Sequence, residues 1–403
     1  MDSLTHLVAG ALTPLVFKNT PRRAALVCFG IVAGELPDLD VIFGTSPLAL
    51  MTLHRGITHA LFWQPVMALL AALPFFLWLC NRRPAPALFH EARPLAPGLA
   101  GLDSRGNPAF VRLWSMALIA LCLHIYLDCM TSFGTQALLP FSEARVALPA
   151  MFIVDPLLTL PALALLAAAL RQAPEYARMA ANGAGSMAAD ASAKGKAGGP
   201  GLAFALYSRR SRLLAGAGLA WIVIYPMLAL GLNAAATAKA AGVCLRPGDP
   251  SARLILMTEP FSPFVWKKIE REKRGWLLSL ASPFAGQETR DFVFHKKPDP
   301  VLYASLKRQE SIFAHFANFA PLMTQTERPA SALARSGHSG PVREYAFADL
   351  RYLAAPSSFT HLVGRGDPIF VLEARVNASG ALLAWRFLKR AADAAHTPWV
   401  LLE

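Results

Sequence analysis

Apolar residues in this chain come in runs long enough to cross a bilayer, which takes about 20 mostly apolar residues. Three such runs are Ala60 to Cys80, Leu113 to Phe133 and Leu213 to Leu232, the first and last free of charge. A fourth, Ala147 to Leu170, is apolar apart from Asp155. Before them, His6 to Phe17 and Ala24 to Leu36 are apolar but shorter, and Lys18, Arg22 and Arg23 separate them. The pattern predicts an all-α polytopic membrane bundle of four long spans preceded by a short helical hairpin or re-entrant pair.

Beyond Leu245 the period changes. Alternating runs such as Asp291 to His295 and Phe370 to Val376, with turn residues at Asn377 to Gly380, predict strands. Residues 245–403 are therefore expected to form an α+β or mostly β accessory domain outside the membrane. The membrane-embedded part is expected over residues 1–235. Within it, residues 181–201 are so rich in Gly and Ala that they predict a flexible linker.

Composition agrees with a membrane protein: 54% of residues are hydrophobic, 16% are charged, and the mean hydropathy is +0.38. The net charge of +13 would by itself permit a nucleic-acid partner. Its placement answers otherwise. Arg82, Arg83, Arg93, Arg105 and Arg112 crowd one loop, and Arg171, Arg178, Lys194, Lys196, Arg209, Arg210 and Arg212 crowd another. The positive-inside rule puts both in the cytoplasm and accounts for the charge without nucleic acid. Residues 37–59, 134–146 and those beyond Asn233 then fall on the far side. Met1-Asp2-Ser3 supplies no basic start for a cleaved signal, so the hairpin is expected to stay in the mature protein. The five cysteines, Cys28, Cys80, Cys122, Cys129 and Cys244, have no paired spacing, which argues against disulfides or a thiolate zinc site.

Against this apolar background the polar groups stand out: Asp2 and His6, then Glu35, Asp38 and Asp40, then His54 and His59, then His124 and Asp128, and finally Asp155. Charged groups in hydrocarbon are costly and usually functional. At 1.5 Å per helical residue, Arg112 to Asp128, Asp155 to Arg171 and Arg23 to Asp38 each cover roughly 22 to 24 Å. Measured from the basic anchors, the three carboxylates thus reach one depth, and His6 and His59 fall near it, close to the non-cytoplasmic boundary. His124 and Asp128 are four residues apart on one helix and project from one face. Pro37 stops the preceding helix and lets Asp38 and Asp40 act from an irregular segment, while Gly56 allows a turn between His54 and His59, with Thr58 as a possible helix cap. Imidazoles and carboxylates without thiolates suit zinc, manganese or iron, and the number of groups suffices for one or two ions. Metal-assisted hydrolysis of an ester, amide or phosphoester is the natural reaction class, with Glu35 or Asp40 as proton acceptor. A site at this depth is open to a lipid or amphiphilic substrate from the bilayer.

Asp2-Ser-Leu-Thr-His6, Pro37-Asp-Leu-Asp40, His54-Arg-Gly-Ile-Thr-His59 and His124-Ile-Tyr-Leu-Asp128, followed by Gly134-Thr-Gln and Pro140-Phe-Ser, resemble the predicted inner-membrane metal-dependent hydrolases of bacteria. The motifs stand in family order over about residues 1–165. The resemblance implies His6, Asp38, Asp40, His54, His59, His124 and Asp128 as metal-site positions, with Asp155 in the matching Ile-Val-Asp-Pro segment. It also implies a bacterial inner-membrane location, and with the basic loops in the cytoplasm the site and the C-terminal domain are expected on the periplasmic side.

Plainer roles compete for individual residues. The polar set could cap helices and bond internally. Asp155 before Pro156 fits a helix cap as well as a ligand. Glu35 could orient a histidine or end a helix in solvent, and Arg55 could bind a substrate anion or, better, snorkel to headgroups. His90, His295, His315, His338, His361 and His396 lack ligand spacing. Two other functions compete as well: a protein that conducts or senses metal ions or protons, and a structural metal site whose distal domain is a binding module.

Overall fold

The computed structural model describes residues 1–17, 23–44, 47–81, 110–172, 209–241, 254–260, 262–282, 284, 291–329, 341–358 and 368–402. The expected linker at 181–201 lies outside them, as do most of the two basic loops.

Helix α1 (Ser3–Leu12) starts at Asp2, whose carboxylate accepts from Thr5 N at 3.0 Å and Thr5 Oγ1 at 2.7 Å. A 3-10 turn, Thr13–Val16, follows at Pro14. Helix α2 (Arg23–Glu35) packs along α1. The contact passes through Gly10 and Gly30: a β-carbon on either would overlap the other's carbonyl oxygen, so only glycine permits this approach. The expected N-terminal hairpin is therefore two short helices in close contact.

Pro37 ends α2 and opens a 3-10 segment, Pro37–Phe43. Helix α3 (Pro47–Leu53) and two 3-10 turns, Ile57–His59 and Leu61–Trp63, lead into α4 (Gln64–Asn81). Helix α5 (Phe110–Cys129) packs against α4 and α2 through buried Leu113, Met116, Ala117 and Ala120, with Ala68 and Ala72 opposite. Helix α6 (Pro156–Arg171) packs against α7 (Arg209–Ala241).

Among the described residues, three helices are long and apolar enough to cross a membrane: Leu61–Asn81, Phe110–Cys129 and Arg209–Ala240. The fourth expected span differs. Residues 147–155 are irregular, and the helix runs 16 residues from Pro156, roughly 24 Å at the helical rise. Asp155 sets its start by accepting from Leu157 N at 2.9 Å and Leu158 N at 3.3 Å. Helix α7 has 33 residues, roughly 50 Å, which exceeds a hydrocarbon core of about 30 Å. Its last turns carry Asn233, whose amide reaches the carbonyls of Pro149 and Leu256, and Ala236, which packs on Trp266.

The C-terminal half is α+β. Strands β1 (Leu254–Thr258), β2 (Trp266–Arg271), β3 (Gly275–Ala281) and β4 (Val293–Lys296) form an antiparallel meander. Helices α8 (Pro300–Gln309) and α9 (Ser311–Phe319) follow. Strands β5 (Met323–Pro329), β6 (Arg343–Asp349), β7 (Ile369–Val376), β8 (Leu382–Arg390) and β9 (Val400–Leu401) form a second antiparallel sheet in sequence order. Strands β4 and β7 and the turn at Asn377, with Gly380 at φ +85°, stand where alternation and turn residues predicted them. Tyr303, Phe313 and Phe316 of the helices pack on Phe347, Leu372 and Phe387 of the sheet. Phe133 and Met51 of the helical half join that core, and Arg351 Nη1 donates to the carbonyls of Ser132 and Phe133 at 3.2 and 3.0 Å. The two halves are thereby packed together.

Candidate metal centre

The candidate ligands lie on 3-10 segments and near the end of a helix. Asp38 and Asp40 lie on the 3-10 segment after Pro37, His59 ends the next 3-10 turn, and His124 and Asp128 occupy the last turns of α5. One oxygen or nitrogen from each of Asp38, His59, His124 and Asp128 falls within 4.8 Å of all the others. Asp38 is partly exposed and the other three are buried.

Second partners fix which atoms face inward. His124 Nδ1 donates to the Gly34 carbonyl at 2.7 Å, leaving the Nε2 lone pair free. His59 Nδ1 lies 3.0 Å from Thr58 Oγ1 and 3.3 Å from Asp40 Oδ2, which holds its proton on the outer nitrogen in the same way. The two Nε2 atoms then face each other at 3.3 Å. His59 Nε2 is 3.3 Å from Asp38 Oδ1 and 3.4 Å from Asp128 Oδ2; His124 Nε2 is 3.5 and 3.6 Å from the same two oxygens. Four acceptors thus converge in a buried place. A proton on one ring could serve one of these pairs, whereas a cation at the centre serves all four. Zinc bonds of about 2.0–2.2 Å to nitrogen and oxygen imply tetrahedral edges of about 3.3–3.6 Å, close to these separations. The residues fit a divalent ion.

The remaining residues sort around this centre. His6 stacks on His124 with ring centroids 3.7 Å apart, and its Nε2 is 3.4 Å from Asp128 Oδ1. Both His6 nitrogens are buried without a hydrogen-bond partner among the described residues, as is Glu35 Oε1. Asp128 Oδ1 meets the Met1 amine and Arg55 Nη2, the latter at 2.9 Å. Asp38, Asp40 and His54 form a second group able to hold an ion, so Asp38 is common to both.

Several expectations are corrected. Asp40 is not a free proton acceptor: Oδ1 faces His54 Nδ1 at 2.9 Å, and Oδ2 accepts from Arg55 N and Thr58 Oγ1. Thr58 lies within the 3-10 turn and bonds Asp40 instead of capping a helix. Asp155 does not join the cluster. One oxygen caps α6 and the other accepts from Tyr225 Oη at 2.8 Å, so both are occupied away from the centre. Arg55 does not snorkel. It is 3% exposed, bonds Asp128 and Thr131 Oγ1, and lies over the Phe133 ring at 4.8 Å. The Gly34 carbonyl escaped sequence reasoning because a backbone acceptor has no residue signature. Cys28, Cys80, Cys122 and Cys129 form no disulfide and take no part in the described cation groups.

Helices of membrane length around a buried His/Asp cluster define a polytopic membrane protein with a possible cation site. The chain belongs to the YdjM inner membrane protein family, whose family model matches residues 1–234. That stretch carries every ligand candidate. The chain is also similar to "Uncharacterized protein YfhP" of Bacillus subtilis (strain 168), 27% identical over 179 residues, 41% of this chain. The match covers 46% of that relative, about half its length. No solved structure matches the chain.

Proposed function

We propose that this protein is a membrane-embedded metal-dependent hydrolase that cleaves an ester or phosphoester of a lipid or amphiphile at the periplasmic face. The observation that carries the reading is the convergence of four acceptors from Asp38, His59, His124 and Asp128 at tetrahedral-edge separations. With nitrogen and oxygen donors and no thiolate, zinc suits the set best, and manganese or iron remain compatible. A bound divalent ion supplies Lewis acidity and lowers the pKa of a coordinated water.

The chain's own residues divide the remaining work. Gly34 and the Asp40–Thr58 pair orient the two imidazoles, and Arg55 braces Asp128. Glu35, whose Oε1 is buried without a hydrogen-bond partner among the described residues, is the proton acceptor in this reading. Access from the bilayer is supported by the outward side chains of the ligand-bearing turns: Leu39, Val41, Ile42, Ile57 and Phe62 are all exposed. The basic loops support the periplasmic assignment: residues 82–112 connect α4 to α5 at the ends away from the cluster, and residues 171–212 connect α6 to α7. A conduit for ions needs polar groups continuing toward the cytoplasm, but the buried positions of α5 before His124 are Leu113, Met116, Ala117, Ala120 and Leu121.

The test is a hydrolysis screen of phospholipids and esters on purified protein, run after chelation and again after adding zinc. Metal-dependent turnover that Glu35→Gln abolishes without loss of bound metal is the expected result. Stoichiometric metal with no turnover on any ester or phosphoester would remove the hydrolase reading.

A further inference from the structure

A cavity of about 400 Å³ lies where the two halves meet, within the usual range for small-molecule sites. His54 and Arg55 line it from the helical half, and Lys267, Arg351 and Tyr352 line it from the C-terminal half. Its wall therefore includes the residue that braces Asp128, so the cavity adjoins the metal centre.

Its charged groups are mostly cationic. Among the described residues that line it, Glu259 is the sole carboxylate, against Arg55, Lys267 and Arg351. Arg145 stands close behind, donating to the carbonyls of His54, Gly134 and Met51. Burial, with Arg351 and Arg55 nearby, pulls its pKa down to about 10, so it stays charged at neutral pH. Two lining residues each carry an unused donor: Arg55 Nε and the Tyr352 hydroxyl are buried without a hydrogen-bond partner among the described residues. A buried donor left unpaired is costly, and an oxyanion that reached them would satisfy these donors. Burial also pushes the Tyr352 phenol up, which keeps it a donor.

The other walls are apolar. Phe133, Phe152, Ile153, Ile369 and Phe370 line them, and Ile153 is also 41% exposed, forming an apolar lip at the surface of the helical half. An anion-binding corner beside apolar walls suits a molecule with both characters.

We propose that this cavity binds the phosphate group of an amphiphile, with Arg55 Nε and the Tyr352 hydroxyl as donors and the aromatic and aliphatic walls holding the adjoining chain. The C-terminal half thereby completes the substrate site of the hydrolase, so this proposal rests on that reading for its purpose, although binding can be measured without turnover. Phosphate is the shared chemistry of a lipid headgroup and of the free ion; the apolar walls favour the lipid.

The experiment uses full-length protein in detergent with metal chelated, so that hydrolysis plays no part, and titrates dioctanoyl phosphatidic acid, dioctanoylglycerol and inorganic phosphate. Phosphatidic acid should bind roughly ten-fold or more tightly than dioctanoylglycerol, as loss of charge-assisted hydrogen bonds predicts. Tyr352→Phe, which keeps the ring, should erase roughly ten-fold of the phosphatidic acid affinity and leave dioctanoylglycerol unchanged. Ile369→Trp, which fills the cavity, should weaken phosphatidic acid without altering bound metal in the loaded protein. Equal binding of the two lipids, or a Tyr352→Phe variant that binds like wild type, overturns the proposal. Inorganic phosphate binding as tightly as phosphatidic acid overturns the lipid assignment. Turnover of neutral esters by a protein that fails these tests would leave the hydrolase reading standing and remove this one.

Discussion

In the C-terminal half, buried Lys267 lies 3.3 Å from Glu259 and donates to the carbonyls of Leu350 and Arg351, while Arg351 is held by Asp349 and by carbonyls of the helical half. In the helical half, Asp38, His59, His124 and Asp128 turn acceptor atoms toward one another, and their outer nitrogens are already tied to Gly34, Asp40 and Thr58. Both regions bury charge, but the first completes its own pairs and the second leaves a common gap between acceptors. Buried charge alone is thus a poor guide to function. Lone pairs converging without donors are a better one.

Each half can be perturbed to test that contrast. The largest stability effect should come from Arg351→Ala, which strands Asp349 and frees the carbonyls of Ser132 and Phe133. Breaking a buried pair costs about 3–5 kcal/mol, seen as a fall in thermal unfolding temperature. Metal content should not change, because the partners of Arg351 are Asp349 and backbone carbonyls, none of them a candidate metal ligand; metal loss would merge the two regions into one site. Asp155→Ala should cost about 1 kcal/mol as a lost helix cap, with wild-type metal content. Metal loss there would return Asp155 to the ligand set.

The smallest effect concerns pH. Burial lowers the pKa of Lys267 below its ordinary value, so between the folded and unfolded pKa values the unfolded chain holds the extra proton. Stability from this group therefore rises with pH across that window. Melting curves from pH 7 to 10 should show wild type gaining on Lys267→Met as pH increases. A constant difference would mean that Lys267 titrates as it does in water.

The layer of candidate metal ligands was legible because its residues are rare in apolar runs and because helical rise, counted from the basic loops, put them at one depth. That reasoning placed His6, His59, His124 and Asp128 together although 122 positions separate the first and last. Strands β4 and β7 were legible from alternation. The fourth span was not: residues 147–155 are as apolar as a helix, and the Asp155-Pro156 helix start competes with a continuous run. Arg55 was misplaced because its partners, Asp128 and Phe133, lie more than 70 residues away on another helix and loop. The cavity between the halves had no local signature, since Arg55 and Tyr352 meet only after both halves have folded.

Elemental analysis of purified wild type beside Asp128→Asn tests the central claim most directly, because the amide keeps the size of the carboxylate and removes its charge. About one zinc per chain in wild type, falling at least about ten-fold in a folded variant, is the predicted result. A folded wild type without metal after zinc loading, or a variant that retains the full complement, would contradict it.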